Sequence, residues 1–240
     1  MSIFDRKNML GCGTDSDCYS LIPVNSPTND ADLGKSIKEI SMLIGRGLTT
    51  GEINMCRTIF KDSIQYSRVR IIEARHPSED TSKVPRVIAD KRNPYIFFPP
   101  KDTQPARSVH YYRDDFSSPQ GSSLEKRKTR LLFIHEMTHI WQRMQGKYSL
   151  DNPALQGKAK ETGDIYYLPW QDEPAKEFSL YNHEQQAELI ATLYDIEILK
   201  TNMPPEKVTY IKNATQKFIS NPKGIKLLPV NAKDRKPINE

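Results

Sequence analysis

The stretch LLFIHEMTHIWQ, Leu131–Gln142, constrains this chain more than any other. Phe133, Met137, Ile140 and Met144 recur at the spacing of one helical face, which predicts a helix from about Leu124 to about Gly146. The same stretch carries His135, Glu136 and His139 in its middle. Ionisable groups in an apolar helix need partners, because an unpaired charge taken out of water is costly. On a helix, residues i and i+4 lie one turn apart on one face, so His135 and His139 can aim their imidazoles at one point. A metal ion requires that convergence. Glu136 lies beside the point rather than on it and suits the removal of a proton from water. A chance HExxH is expected in about one such chain in a hundred, and most would fall on loops.

Two histidines leave a catalytic zinc short of one protein ligand. The metzincin continuation requires glycine at position 142 and histidine at position 145; the chain has Gln142 and Gln145, which excludes that class. Two carboxylates stay open. Asp164, in TGDIYY, partly echoes the T-x-D-x-x-Y pattern of aspzincins without its flanking glycines. Glu184, in YNHEQQAEL, would sit in the first turn of a second helix, with Glu188 one turn later on the same face. That spacing is close to the gluzincin arrangement, in which the first carboxylate binds zinc and the second orients a ligand histidine. Glu184 is the preferred third ligand and Asp164 the alternative. His183 adjoins the helix N-cap and is expected to point away from Glu184.

At 240 residues the chain can bury one sizeable core, and 37% hydrophobic with 27% charged residues fits a globular protein. No run approaches the length of a membrane span, and MSIFDRKNMLGCGTDSDCYS lacks the charged and apolar regions of a secretory signal. The net charge of +5 is scattered, as in YRDD and KDRK, so nucleic acid is not an expected partner. Cys12 and Cys18 are close enough to bridge in an oxidising compartment, whereas Cys56 reads as a small core residue.

The expected organisation is an extended arm over residues 1–35, a domain over 36–220 and a Pro- and Lys-rich tail over 221–240. LTTGEINMCRTIFKD reads as a helix with Thr49 and Glu52 forming a capping box. SRVRIIEAR, PYIFFPP and SVHYYRDDF read as strands. Asn182 caps a helix over about His183 to Lys200, and PPEKVTYIKNATQKFIS is a last helix opened by prolines. The fold class is α+β, a small antiparallel sheet ahead of a helical half that carries the HExxH helix.

Taken in order, LTTGEINMCRTIF, QYSRVRI, YRDDFS, FIHEMTHIWQ and YNHEQQAE resemble bacterial VgrG-related metallopeptidases. These are zinc-dependent toxin domains, found as C-terminal extensions of type VI secretion spike proteins and as free-standing effectors. The resemblance runs from about Leu48 to about Leu199 and implies a zincin-like fold with a gluzincin-like site. His135, His139 and Glu184 would hold Zn2+, with Glu136 as catalytic base and Glu188 behind the ligands. It further implies synthesis in the cytoplasm, secretion without a signal peptide on a type VI spike or tube component, and action in the periplasm of a rival bacterium. A cognate immunity protein would protect the producer. The implied reaction is hydrolysis of an amide bond, in a protein or a peptidoglycan stem peptide. His110, Tyr111, Tyr166 and Tyr181 are candidate donors to the oxyanion. The rival reading is a non-enzymatic secretion adaptor with a structural metal. Against it, structural zinc sites usually close with four protein ligands, often cysteines, and no cysteine lies near this motif.

Overall fold

The computed structural model describes residues 45–74, 85–89, 94–105, 108–146 and 164–229. Its helices begin where side chains can hold their first amides. Helix α1, Thr50–Phe60, starts at Thr49, whose hydroxyl accepts the Glu52 N–H while the Glu52 carboxylate accepts the Thr49 N–H. The same reciprocal box opens α2, Ser123–Gln145, with Ser122 and Glu125, and α3, His183–Glu197, with Asn182 and Gln185. Helix α4, Pro205–Ser220, opens on a proline, whose missing N–H costs nothing at the first helical position.

Three strands form a sheet in the order β1–β3–β2: β1 is Arg70–Glu73, β2 is Arg86–Ala89 and β3 is Pro94–Phe98. The sheet is mixed rather than antiparallel. β2 and β3 are antiparallel, with Arg86 opposite Phe97, but β1 runs parallel to β3, with Arg70 opposite Tyr95. The four residues of β2 are too short a run to show a period in the sequence. By folding back on β3, β2 takes one edge, and β1 takes the other with the same sense as β3.

SVHYYRDDF, expected as a strand, is irregular. Its strand-like composition comes from its anchoring in the core. Phe116 is fully buried between Phe98 and Phe133, with ring centroids 4.3 and 4.9 Å away. The segment joins no strand ladder: the Tyr112 N–H donates to the Pro99 carbonyl just beyond β3, the Phe116 N–H donates to Glu52 Oε1, and Arg46 donates to the Arg113 carbonyl.

Helix α2 is the centre of the molecule. Between Leu131 and Gln142 every residue except His139 is buried. A helix apolar on most sides must be covered on most sides. Helix α3 lies antiparallel along it: Arg127 pairs with Asp195 at one end, and Gln142 donates to the His183 carbonyl at the other. On another face, Trp141 packs edge-on against Phe218 of α4 at 5.0 Å, and its indole N–H donates to the Pro222 carbonyl. Pro222, Leu227, Leu228 and Pro229, in the first part of the Pro- and Lys-rich stretch, are buried. Cys56 is fully buried, as expected of a small core residue. The residue 1–35 arm, with Cys12 and Cys18, lies outside the described residues. No helix among the described residues is long and apolar enough to cross a membrane.

Candidate metal centre

The antiparallel pairing of α2 and α3 brings the start of α3 against the middle of α2, and chemistry collects where they meet. His135 and His139 stand one turn apart with their rings nearly perpendicular and centroids 4.9 Å apart. Their Nε2 atoms are 3.2 Å from each other. Glu184, in the first turn of α3, places Oε2 3.1 Å from His135 Nε2 and 3.3 Å from His139 Nε2. Among the described residues, these three form the group whose donor atoms converge closely enough to hold a metal ion.

The electrostatics follow from burial and charge. Burial pushes the His135 imidazole down to about 4, against the pull of its Glu184 contact. Burial also disfavours charge on His139, yet the Glu184 carboxylate, helped by Glu136 and Gln142, outweighs it and raises the ring to about 9. Glu184 is likewise opposed by burial, but His139, His135 and His183 hold it well below the usual carboxylate range. Its place at a helix N-terminus favours negative charge as well. Burial and charge together thus favour an ionised pair of Glu184 with His139 and disfavour charge on His135.

His183 does not point away from Glu184. Its Nε2 lies 3.3 Å from Glu184 Oε1, and its ring centroid is 5.8 Å from that of His139. At the first helical position no preceding turn blocks the imidazole, which folds over the helix start. Glu184 thus divides its oxygens, Oε2 to the histidines of α2 and Oε1 to His183.

The remaining candidates are distributed unevenly. Glu136 is buried beside His139, and Glu188 is buried one turn beyond Glu184. Asp164 is outside the converging group, and its Oδ1 accepts the Tyr166 N–H at 3.0 Å. That bond helps place Tyr166, whose ring centroid is 5.9 Å from that of His135. The Tyr166 loop is fastened to the start of α3 by Asn182 Nδ2 on the Ile165 carbonyl and Gln185 Nε2 on the Tyr167 carbonyl. The Tyr181 hydroxyl is already engaged, accepting the Lys176 N–H and donating to the Tyr210 hydroxyl. Tyr111 stacks on Arg113, with the guanidinium 4.2 Å from its ring centroid. His110 bonds Ser108, and burial with the nearby Lys128 charge holds its ring down at about 4.

Two residues of the site carry no signal in the HExxH pattern. Gln142 Oε1 lies 2.9 Å from His139 Nδ1, and Gln142 Nε2 donates to Gln186 Oε1 at 3.0 Å. The i+3 spacing from His139 to Gln142 is visible in the sequence; the meeting with Gln186, on another helix, is not.

No family model matches this chain. Over 149 residues, 61% of its length, the chain is 34% identical to the type VI secretion system spike protein VgrG2b of Pseudomonas aeruginosa. The matched stretch is 12% of that spike protein. A solved structure, the effector domain of Pseudomonas aeruginosa VgrG2b, aligns with 78% of this chain and 93% of that one, at 24% identity and a TM-score of 0.44. The chain is therefore similar in sequence to a small part of a much longer spike protein.

Proposed function

We propose that this chain is a zinc-dependent hydrolase of amide bonds, delivered as a toxin by a type VI secretion apparatus. The observation that carries the reading is the convergence of two imidazole nitrogens and one carboxylate oxygen beside the buried Glu136. The donor set suits zinc. A tetrahedral ion with bonds of ~2.0–2.1 Å holds its donors about 3.3 Å apart, and the three separations here are 3.1, 3.2 and 3.3 Å. Three protein ligands are the catalytic pattern, since structural sites usually close with four. Bound zinc would supply Lewis acidity, polarising a carbonyl and acidifying water.

The chain's own residues supply the proton traffic and the orientation. Glu136 takes a proton on its carboxylate from the water that adds to the scissile carbonyl and hands it to the amide nitrogen as the C–N bond breaks. Tyr166, on its pinned loop against His135, offers its hydroxyl to the oxygen that gains charge. Glu188 adds a second buried carboxylate behind the ligands. The likeness to a spike protein supports a spike or tube component as carrier; the target-cell periplasm as the place of action and a cognate immunity protein are proposed with it. The substrate is a peptide bond in a protein or in a peptidoglycan stem.

The test is Glu136→Ala. It should keep metal and fold but lose at least ~10²-fold in activity, the lower range for a positioned acid–base group. Exported to the periplasm, the wild-type chain should arrest growth and the variant should not, while cytoplasmic expression is tolerated. Arrest that persists in Glu136→Ala would overturn the hydrolytic reading.

A further inference from the structure

Gln142 occupies the position where a different zinc-protease class would require glycine, and the fold gives it a place of its own. Fully buried, it bridges the two elements that carry the ligands. Its Nε2 donates to the His183 carbonyl at 2.9 Å and to Gln186 Oε1 at 3.0 Å, while its Oε1 faces His139 Nδ1 at 2.9 Å. A side-chain amide can be turned either way, so its orientation must be argued from its partners. Here backbone carbonyls decide it, because a carbonyl can only accept.

Gln186 Nε2 faces the carbonyls of Phe178 and Leu227, each at 2.9 Å, so that end of the amide must be the NH2 group. Gln186 Oε1 therefore faces Gln142. The Gln142 end that meets both this oxygen and the His183 carbonyl must in turn be its NH2 group. Gln142 Oε1 is left for His139, and an oxygen facing a ring nitrogen requires that nitrogen to carry the proton. Three carbonyls on three separate segments thus dictate a proton on His139 Nδ1, so Nε2 is the nitrogen that can shed its proton and offer a lone pair.

We propose that Gln142, held by Gln186, is the positioning residue that fixes His139 as an Nε2 metal ligand. This inference rests on the metal-site reading above. Outer partners of ligand histidines typically contribute 10–100-fold to metal affinity. The test compares zinc affinity, by competition with a chromophoric chelator, in the full-length chain and two variants. Gln142→Met removes the acceptor and both donated bonds. Gln142→Glu keeps an oxygen toward His139 but cannot donate to Gln186 or to the His183 carbonyl.

Both variants should lose thermal stability without zinc. Only Gln142→Met should lose zinc affinity, by about 10–100-fold; Gln142→Glu should stay within a few-fold of wild type. Long-range 1H–15N spectra of the zinc-loaded wild type should show the His139 proton on Nδ1. Unchanged affinity in Gln142→Met overturns the inference, as does an equal loss in both variants. If Gln142→Met does not fold, the wild-type spectrum decides, and a proton on Nε2 overturns it. A wild-type chain that binds no zinc at all overturns the metal-site reading as well, which tells the two failures apart.

Discussion

Helices α1 and α3 each place a glutamate in their first turn, beneath a capping box, and the two carboxylates have opposite surroundings. Glu52 is fully buried. Arg46 grips both its oxygens, at 2.7 and 2.8 Å, and the Thr49 and Phe116 amides donate to them at 2.8 and 2.9 Å. Every one of those donors is permanent, since guanidinium and backbone amides do not release protons in the ordinary range. Glu184 faces ring nitrogens of His135, His139 and His183 instead. An imidazole nitrogen can give up its proton and present a lone pair, so these protons can be exchanged for a metal ion. A carboxylate surrounded by fixed donors holds a fold together; one surrounded by exchangeable donors is available for chemistry.

The largest expected effect tests the first half of that contrast. Glu52→Ala leaves the Arg46 charge partly buried and two amides without acceptors, a loss of about 3–5 kcal/mol of stability by urea unfolding. The folded fraction should still bind one zinc per chain. Loss of zinc binding from the folded fraction would erase the distinction between the two carboxylates. Glu184→Ala should behave the other way round. Removing a ligand should weaken zinc binding by at least about 100-fold, the upper figure for outer partners alone. Full zinc occupancy in that variant, by elemental analysis, would move the third ligand elsewhere, with Asp164 next to be examined.

The two carboxylates were not equally readable from the sequence. Both capping boxes are local, joining residues three apart at Thr49–Glu52 and Asn182–Gln185, and so is the one-turn spacing of His135 and His139. Local periodicity survives into the fold because a helix fixes it before any packing does. The partners of Glu52 are different. Phe116 lies 64 residues away, in a segment whose aromatic content reads as a strand, although it joins no strand ladder. The Gln142–Gln186 contact spans 44 residues, and the direction of β1 depends on β2, whose four residues show no period. His183 also escaped the spacing argument, because side-chain direction at a helix start is set by packing rather than by the helix. In each case the missing information was the identity of a distant neighbour.

A third experiment uses the exchangeable shell directly. In the metal-free protein the Glu184 charge keeps His139 protonated up to about pH 9, while His135, at about 4, is already neutral. Zinc must displace that one proton, so apparent affinity should fall about tenfold for each pH unit below about 9. The sign is fixed: the metal-free form holds the extra proton, so acid favours it. Calorimetry at neutral pH in buffers of different ionisation enthalpy should report one proton released from His139 per zinc. In Glu184→Ala the raised value loses its main support, and the slope should flatten near neutrality. A slope that stays the same would mean that Glu184 does not hold the proton there.

The smallest effect separates the two helix starts by readout rather than by size. Thr49 and Asn182 each accept an amide at the third helical position, from Glu52 and Gln185 respectively. Replacing either by alanine should cost about 1 kcal/mol of stability, the usual value for a lost N-cap. Beyond that, Thr49→Ala frays the turn that holds Glu52, whose arginine and Phe116 bonds remain. Asn182→Ala frays the turn that carries Glu184 and also releases the Ile165 carbonyl, which helps fasten the Tyr166 loop. If the frayed first turn must re-form before zinc is held, the same ~1 kcal/mol reappears as about a fivefold loss of zinc affinity. Zinc titrations of the two variants, matched for stability, should therefore differ although their unfolding curves do not. Equal zinc affinities would mean that Glu184 is positioned by its packing against α2 and not by its own helix start.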